Sequence, residues 1–378
     1  MIITDVEALL LRPPGKLDAT IADGSQDGLL IRVFTDEGVI GIGEVDSSPW
    51  VVQAAVTAPA SHMTATGLRE LLVGQDPADI SGLWRRMYHG SLYYGRRGAA
   101  LHAISGIDIA LWDIAGKVEG KPIHELLGGR KRDRIRAYAS TLMPDTPDEA
   151  RRVACMQREA GFDAVKLGWG PLGRDADQDL ALVRAAREGA GDDAELMIDI
   201  GLGWTDPQDA IQRAQRMEDY RPFWIEEPFM PDELPAYRAL ADAVTTPIAA
   251  GEADSTLLDF ERLVDQGGVG IVQPDVTRAG GVTECMRIAE MARLRGRRCI
   301  PHAFSTGIIK AATLHVLAAM EKAEFMEYCV QTTPLSQRLV GERFPVVDGC
   351  VEVPQGAGLG IEIDLDYMER CVVKGAAS

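Results

Sequence analysis

Seven short apolar runs between residues 164 and 327 each end on one titratable residue, and this constrains the fold more than any other feature of the chain. They read AVK at Lys166, LMID at Asp199, WIE at Glu226, IAAGE at Glu252, IVQPD at Asp275, CIPH at His302 and FME at Glu327. Successive spacings are 33, 27, 26, 23, 27 and 25 residues, about what one strand, one helix and two short loops consume. That rhythm predicts a parallel β/α barrel. In such a barrel the C-terminal ends of all strands open at one mouth, so a polar residue closing each run is delivered to a shared site. Taken singly, any of the seven is as well explained as a helix N-cap or a solvated loop residue. Seven in phase are not.

A barrel of ordinary size leaves part of a 378-residue chain over, which calls for a second, smaller domain. Residues 1–125 differ in pattern from the rest. Ile2–Arg12 and Leu29–Val45 read as three strands, the last two forming a hairpin through Asp36-Glu37-Gly38. The helical segments GLRELLVGQDP, DISGLWRRMYHGS and GAALHAISGIDIALWDIAGKVEG follow, the last with Ile104, Ile107, Ala110, Leu111 and Ile114 on one face. This predicts an α+β domain over 1–125 and a barrel over 126–335. A C-terminal segment, 336–378, returns to strand and turn chemistry and packs back on the first domain. Barrel helices are expected at 177–188, 206–219, 232–243, 256–266, 282–295 and 306–321, with Asp206-Pro207 and Ser255 as start signals.

Composition narrows the function class. A net charge of −18 without a long basic run excludes nucleic acid and anionic membrane as natural partners. The N-terminal MIITDVEALLL lacks the features of a signal peptide and no apolar stretch is expected to approach transmembrane length, so a cytoplasmic location is expected. Six scattered cysteines have no metal-like spacing and read as buried reduced thiols.

The chemistry follows from the order of the seven residues. Asp199, Glu226 and Glu252 close three consecutive strands, and three carboxylates at close range repel unless a cation sits among them. An all-oxygen set suits Mg²⁺. Asp275 and His302 close the next two strands, where a carboxylate fixes the imidazole tautomer and raises its basicity for work as a general base. Lys166 and Glu327 end the second and eighth strands. Lys166 stabilises developing charge or acts as a second base, Glu327 reaches a substrate carboxylate, and the bland alternative is an ion pair between the two. Together the groups suit removal of a proton next to a carboxylate from a small-molecule substrate.

At these residues the chain resembles the mandelate racemase-like branch of the enolase superfamily. GIDIALWDIAGK, KPIHELLGG, WIEEPF, Gly251-Glu252, QPDVTRAGG, IPHAF and DGCVEVPQGAGLGIEID all look like that branch's motifs, in order. The resemblance implies a modified (β/α)7β barrel closed by a capping domain from both chain ends, with cap loops at about 13–28 and 46–50 setting the substrate. It implies Mg²⁺ on Asp199, Glu226 and Glu252, a His302–Asp275 base dyad, and Glu327 at the substrate carboxylate. Homo-oligomers are common in such folds.

Two departures bear on the reaction. Racemases of this branch carry Lys-x-Lys on the second strand, whereas this chain has Lys166-Leu167-Gly168, so the usual second base is missing. Gly201 stands where several sugar-acid dehydratases carry a polar residue. The muconate-cycloisomerase and dipeptide-epimerase branches need a lysine where Asp275 stands. The reading is therefore an acid-sugar dehydratase forming a 2-keto-3-deoxy acid. The alternatives are an epimerase or cycloisomerase using Lys166, and an inactive metal-bound scaffold. Trp169 is expected to shape the substrate wall, Arg96 to contact substrate or a neighbouring subunit, and Arg278 to cap the next helix. His89, His102, His124 and His315 are read as structural.

Overall fold

The computed structural model describes residues 1–15, 17–21, 23–129, 131–340 and 344–373. Parts of the expected 13–28 loop, Lys16 and Ala22, and of the 336–378 segment, 341–343 and 374–378, lie outside the described residues.

The first domain is an antiparallel sheet, β1 (Ile3–Leu11), β2 (Gly28–Thr35) and β3 (Ile40–Val45), in sequential order. It lies on the helix Ala99–Glu119. A Cβ on Gly43 would fall within 1.9 Å of the Gly106 carbonyl oxygen, so sheet and helix meet backbone to backbone. This helix corrects one expectation. At 21 residues, with a mean hydropathy of 1.2 over its most apolar window, it is long and apolar enough to cross a membrane, yet 78% of that window is buried within the protein. Its polar groups hide the apolar character in the sequence, and they serve as anchors. Asp108 accepts from Thr283 on the barrel, and Asp113 accepts from the backbone of Ile42 and Leu359.

The second domain runs through β4 (Arg134–Leu142), β5 (Ala164–Gly168), β6 (Glu195–Asp199), β7 (Trp224–Glu226), β8 (Ile248–Ala250), β9 (Ile271–Val272), β10 (Arg298–Cys299) and β11 (Met326–Cys329). The strands pair in parallel in the order β10-β9-β8-β7-β6-β5-β4-β11. Side chains close the ring. One buried cluster takes a residue from each of the eight strands or its flank: Tyr138, Ala164, Met197, Trp224, Ala249, Ile271, Ile300 and Phe325. Alternate residues such as Val165, Ile198, Ile225 and Val272 face outward onto the helices. The fold is a modified (β/α)7β barrel with an α+β cap.

Helices at Pro147–Glu159, Ala176–Ala190, Pro207–Met217, Leu234–Ala243, Thr256–Asp265, Gly281–Leu294 and Gly307–Ala319 alternate with the strands. Asp206 caps its helix by accepting from Gln208 and Asp209 amides. Ser255 occupies the N-cap position without capping, and its hydroxyl turns to the Arg278 carbonyl instead. Near the C-terminus β12 (Cys350–Glu352) adds antiparallel to β4, while Gly358 bridges to Pro122 and Val372 to Leu11. This segment touches both domains. Of the cysteines, 285, 299, 329 and 371 are buried, Cys350 is half-buried and Cys155 is exposed, correcting the expectation that all would be buried.

Candidate active site

Strand periodicity builds the site. Two positions above the apolar floor, on the same inward face, stand Ser140, Lys166, Asp199, Glu226, Gly251, Gln273, His302 and Glu327. The floor excludes water, and the layer above it is polar at every position except Gly251. Glu252 and Asp275 extend the set from the loops after β8 and β9. All the predicted residues from Lys166 to Glu327 converge here, and all are buried or nearly so.

Asp199, Glu226 and Glu252 each present a carboxylate oxygen, and these oxygens lie within 4.8 Å of one another. Gly201 N–H donates to Asp199, and the Trp224 indole donates to Glu226 at 2.7 Å. The neighbouring Glu227 turns away and accepts from the Gly251 amide at 2.8 Å, which fixes the loop carrying Glu252. Lys166 pairs with Glu226 and with Glu327 at 2.8 Å, and its Nζ is 3.7 Å from Asp199. Burial opposes the ammonium, but these carboxylates outweigh it and hold Lys166 well above the usual lysine range.

His302 Nδ1 lies 2.6 Å from Asp275 Oδ2, and Asp275 also accepts from the Thr277 amide and hydroxyl, at 2.6 Å each. The second ring nitrogen, Nε2, is 3.2 Å from Glu252 and 3.8 Å from Glu327. Burial works against the imidazolium, yet Glu252, Glu327 and the Asp275 hydrogen bond raise His302 to about 10. Glu327 accepts from the Ala303 amide. Burial would raise its pKa, but Lys166 and His302 hold it down at about 2.

Lys166, Asp199, Glu252, His302 and Glu327 line a cavity of about 370 Å³. Its roof comes from the expected cap loops, through Asp23, Gly24, Asp46 and Ser47. Trp169 forms part of the wall with a left-handed backbone, φ 58°. Arg96 is not among the lining residues. It is exposed and borders a separate surface groove beside Leu258 and Arg262, because the YYGRRG turn points away from the barrel mouth. Arg97 in that turn pairs with Asp259.

Both departures, Gly168 from the racemase pattern and Gly201 from that of several sugar-acid dehydratases, have a steric basis. A Cβ on Gly168 would sit 2.4 Å from the Asp199 Cβ, so no side chain fits there while Asp199 holds its place. A Cβ on Gly201 would come within 2.7 Å of the Trp169 ring, so the glycine makes room for the indole.

Arg278 corrects another expectation. It does not cap the following helix: its Nη2 pairs with Asp46 of the cap loop at 2.6 Å, and its Nε donates to the Asp46 carbonyl at 3.0 Å. The same guanidinium stands 3.8 Å from both Asp275 and Glu252. Its spacing of three residues from Asp275 was the available signal. Its partner, 232 residues away, left none.

Residues 4–128 match the Mandelate racemase / muconate lactonizing enzyme, N-terminal domain family, and residues 148–367 match the Enolase C-terminal domain-like family. The chain belongs to the mandelate racemase-like branch of the enolase superfamily. It is 36% identical over 352 residues to the D-galactarolactone cycloisomerase of Agrobacterium fabrum, covering 90% of each chain. Against the D-galactonate dehydratase of Cronobacter sakazakii it is 37% identical over 350 residues, covering 89% of this chain and 88% of the relative. The crystal structure of the 3,6-anhydro-D-galactonate cycloisomerase from Zobellia galactanivorans superposes with a TM-score of 0.89 at 30% identity, covering 99% of this chain and all of the other.

Enolase-superfamily enzymes use Mg²⁺, and the trio suits a divalent cation. The set is all oxygen and buried, and the mutual distances approach what one ion spans. Sequence reading missed Gln273, which completes the polar layer, and Asp46. The first stands inside the quoted QPD motif but carries no charge to attract attention.

Proposed function

We propose that this chain is a Mg²⁺-dependent acid-sugar dehydratase, with Asp199, Glu226 and Glu252 holding the ion, which when bound supplies positive charge to a substrate carboxylate. A cation held by Glu252 would offset the negative charge that raises His302, and the neutral ring, oriented by Asp275, takes the proton next to that carboxylate through Nε2. The same imidazolium then returns the proton to the departing 3-hydroxyl, leaving an enol that becomes the 2-keto-3-deoxy acid. Lys166 holds charge on the carboxylate oxygens as the negative charge develops, and Glu327 keeps Lys166 in register. Trp169 and the loop residues Asp46 and Ser47 bound the substrate. With this goes a division in which 1–125 and 336–378 make the cap and 126–335 the barrel. The setting we propose is cytoplasmic and homo-oligomeric.

The observation that carries this reading is the absence of space for a second base at Gly168, opposite a complete His–Asp dyad. A single base that both abstracts and returns the proton is what elimination needs, whereas 1,1-proton transfer needs two facing groups. The dehydratase relatives support the same choice. A second reading, cycloisomerisation of a sugar lactone, is favoured by the cycloisomerase relative.

Purified protein with Mg²⁺ would be screened against acid sugars and their lactones, with 2-keto acid read by semicarbazide and products followed by NMR in D₂O. Keto acid formation that disappears in His302→Asn supports the dehydratase. Lactone consumption without keto acid, dependent on Lys166, supports the cycloisomerase and sinks the first reading.

A further inference from the structure

The last barrel strand, β11, has no full helix after it to cover its outer face. The helix that follows, Pro334–Arg338, has five residues, and a cavity of about 360 Å³ remains between it, the end of helix Pro147–Glu159 and the start of helix Gly307–Ala319. Successive residues of β11 point opposite ways, so Glu327 faces the active site and Tyr328 faces this second cavity.

Lys310 lines it. The side chain is only 8% exposed, its Nζ donates to the Cys329 carbonyl at 3.2 Å, and it stands 3.9 Å from the centre of the Tyr328 ring. Among the described residues no carboxylate lies within 4.0 Å of it, and two of its three N–H groups have no acceptor. Glu44, the acid that bears on it electrostatically, is engaged by Ser305, Thr306 and the Ile309 amide at the helix start. Gln157, 6% exposed, lines the same cavity, and its amide makes no hydrogen bond with any described residue. The other described walls include Phe162, Val340 and Phe344, and among the described residues none that lines the cavity is acidic. In a chain with 57 acidic against 39 basic residues, a cavity whose described lining has one cation and no acid is a local reversal. A buried ammonium without a counter-charge is costly, and burial lowers its pKa accordingly.

We propose that this cavity is a second small-molecule site, separate from the active site, that takes a small organic carboxylate. One carboxylate oxygen would accept from Lys310 and the other from the Gln157 amide, with the hydrocarbon part against Phe162, Val340 and Phe344. A doubly charged inorganic anion matches these walls poorly, since it brings no apolar surface and would leave charge uncompensated.

The test uses full-length, Mg²⁺-loaded protein at fixed ionic strength, with butyrate and inorganic phosphate as probes. Saturation-transfer NMR is recorded on wild type, Glu252→Gln to impair the active site, and Lys310→Met and Gln157→Leu in the second cavity. Butyrate binding should persist in Glu252→Gln and weaken roughly tenfold or more in Lys310→Met and in Gln157→Leu, as expected for losing a partner of a charged group. Lys310→Met should also melt higher than wild type without ligand, because the buried charge is gone. Should Lys310→Met not fold, Gln157→Leu carries the binding test alone. Loss of butyrate binding in Glu252→Gln, unchanged binding in the cavity variants, or phosphate binding more tightly than butyrate would each overturn the proposal.

Discussion

Gly168 lies directly against Asp199: a methyl group added to the glycine would stand 2.4 Å from the Asp199 Cβ and 2.7 Å from Oδ2. Gly168→Ala should therefore push a metal ligand out of place and weaken Mg²⁺ binding by about 10–100-fold, the usual cost of disturbing what orients a ligand. Calorimetric titration of Mg²⁺ into wild type and variant measures this. Equal affinities would mean that β5 relaxes instead of Asp199. By the same contact, Gly168→Lys should not restore racemase chemistry.

His302 and Asp275 act as one unit. His302→Asn should lower kcat by about 10²–10⁴ while leaving Mg²⁺ affinity near wild type. Asp275→Asn should lose a large part of the same activity by releasing the ring. Single-turnover kinetics on an acid-sugar substrate would check both, and a His302→Asn enzyme with normal turnover would remove the dyad from the mechanism.

Lys166 is a buried cation shared among Glu226, Glu327 and Asp199. Lys166→Met leaves those carboxylates facing one another, so metal-free variant should lose about 3–5 kcal/mol of stability, as when one partner of a buried pair is removed. Mg²⁺ should recover much of the loss. Denaturant melts in EDTA and in excess Mg²⁺ give the comparison, and an equal loss in both would mean that lysine and metal do not share the same carboxylates.

Glu44 joins β3 of the cap to the barrel helix Gly307–Ala319, and its burial raises its pKa from 4.5 to about 7 despite hydrogen bonds from Thr306, Ile309 and Ser305. The folded protein thus binds this proton more tightly than the unfolded chain. Its stabilising contribution is complete below pH 4.5 and is lost as pH rises through 7. Glu44→Gln preserves the shape without the charge. Between pH 5 and pH 8 the variant should gain about 2 to 3 kcal/mol relative to wild type in urea unfolding. A pH-independent difference would show that Glu44 titrates normally.

Asp46 and Arg278 tie the roof of the cavity to the wall that carries Asp275 and Glu252. Asp46→Asn should loosen this tie and raise KM more than it lowers kcat, since the residue orders a substrate-covering loop and takes no part in the proton transfer. Steady-state kinetics distinguishes this from a fall in kcat at constant KM, the outcome that would place Asp46 in the chemistry.

The sequence spoke clearly where period-two strands alternate between an apolar floor and a polar rim. Met197 and Asp199, Trp224 and Glu226, and Ile300 and His302 all lie two apart, so each charged residue arrives with its own buried anchor. Boundaries were less clear. His302 and Asp275 each follow the last paired strand residue by three positions, because the strands at β9 and β10 have only two residues in regular pairing. What stayed hidden depends on contacts across the fold. Nothing near Arg278 announces Asp46, nothing near Arg96 shows that its turn points outward, and the reason for Gly168 appears only once Asp199 is beside it. The polar residues of helix Ala99–Glu119 masked its apolar character until their partners on β3 and the barrel were known.

All thirteen residues of helix Gly307–Ala319 are buried, although it belongs to the barrel's outer ring, where one face of a helix ordinarily meets water. The cap lies over it, through Glu44 at its first turn and Leu359 against His315 further along. Neither half of this protein is therefore a free-standing cassette. A barrel expressed alone would uncover the cap-facing side of a mostly apolar helix and aggregate, and a cap transplanted from a relative would have to match that side closely. Under the proposed function, new specificities would be sought in the cap loops that roof the cavity, at Asp23, Gly24, Asp46 and Ser47, while the cap's underside stays as it is.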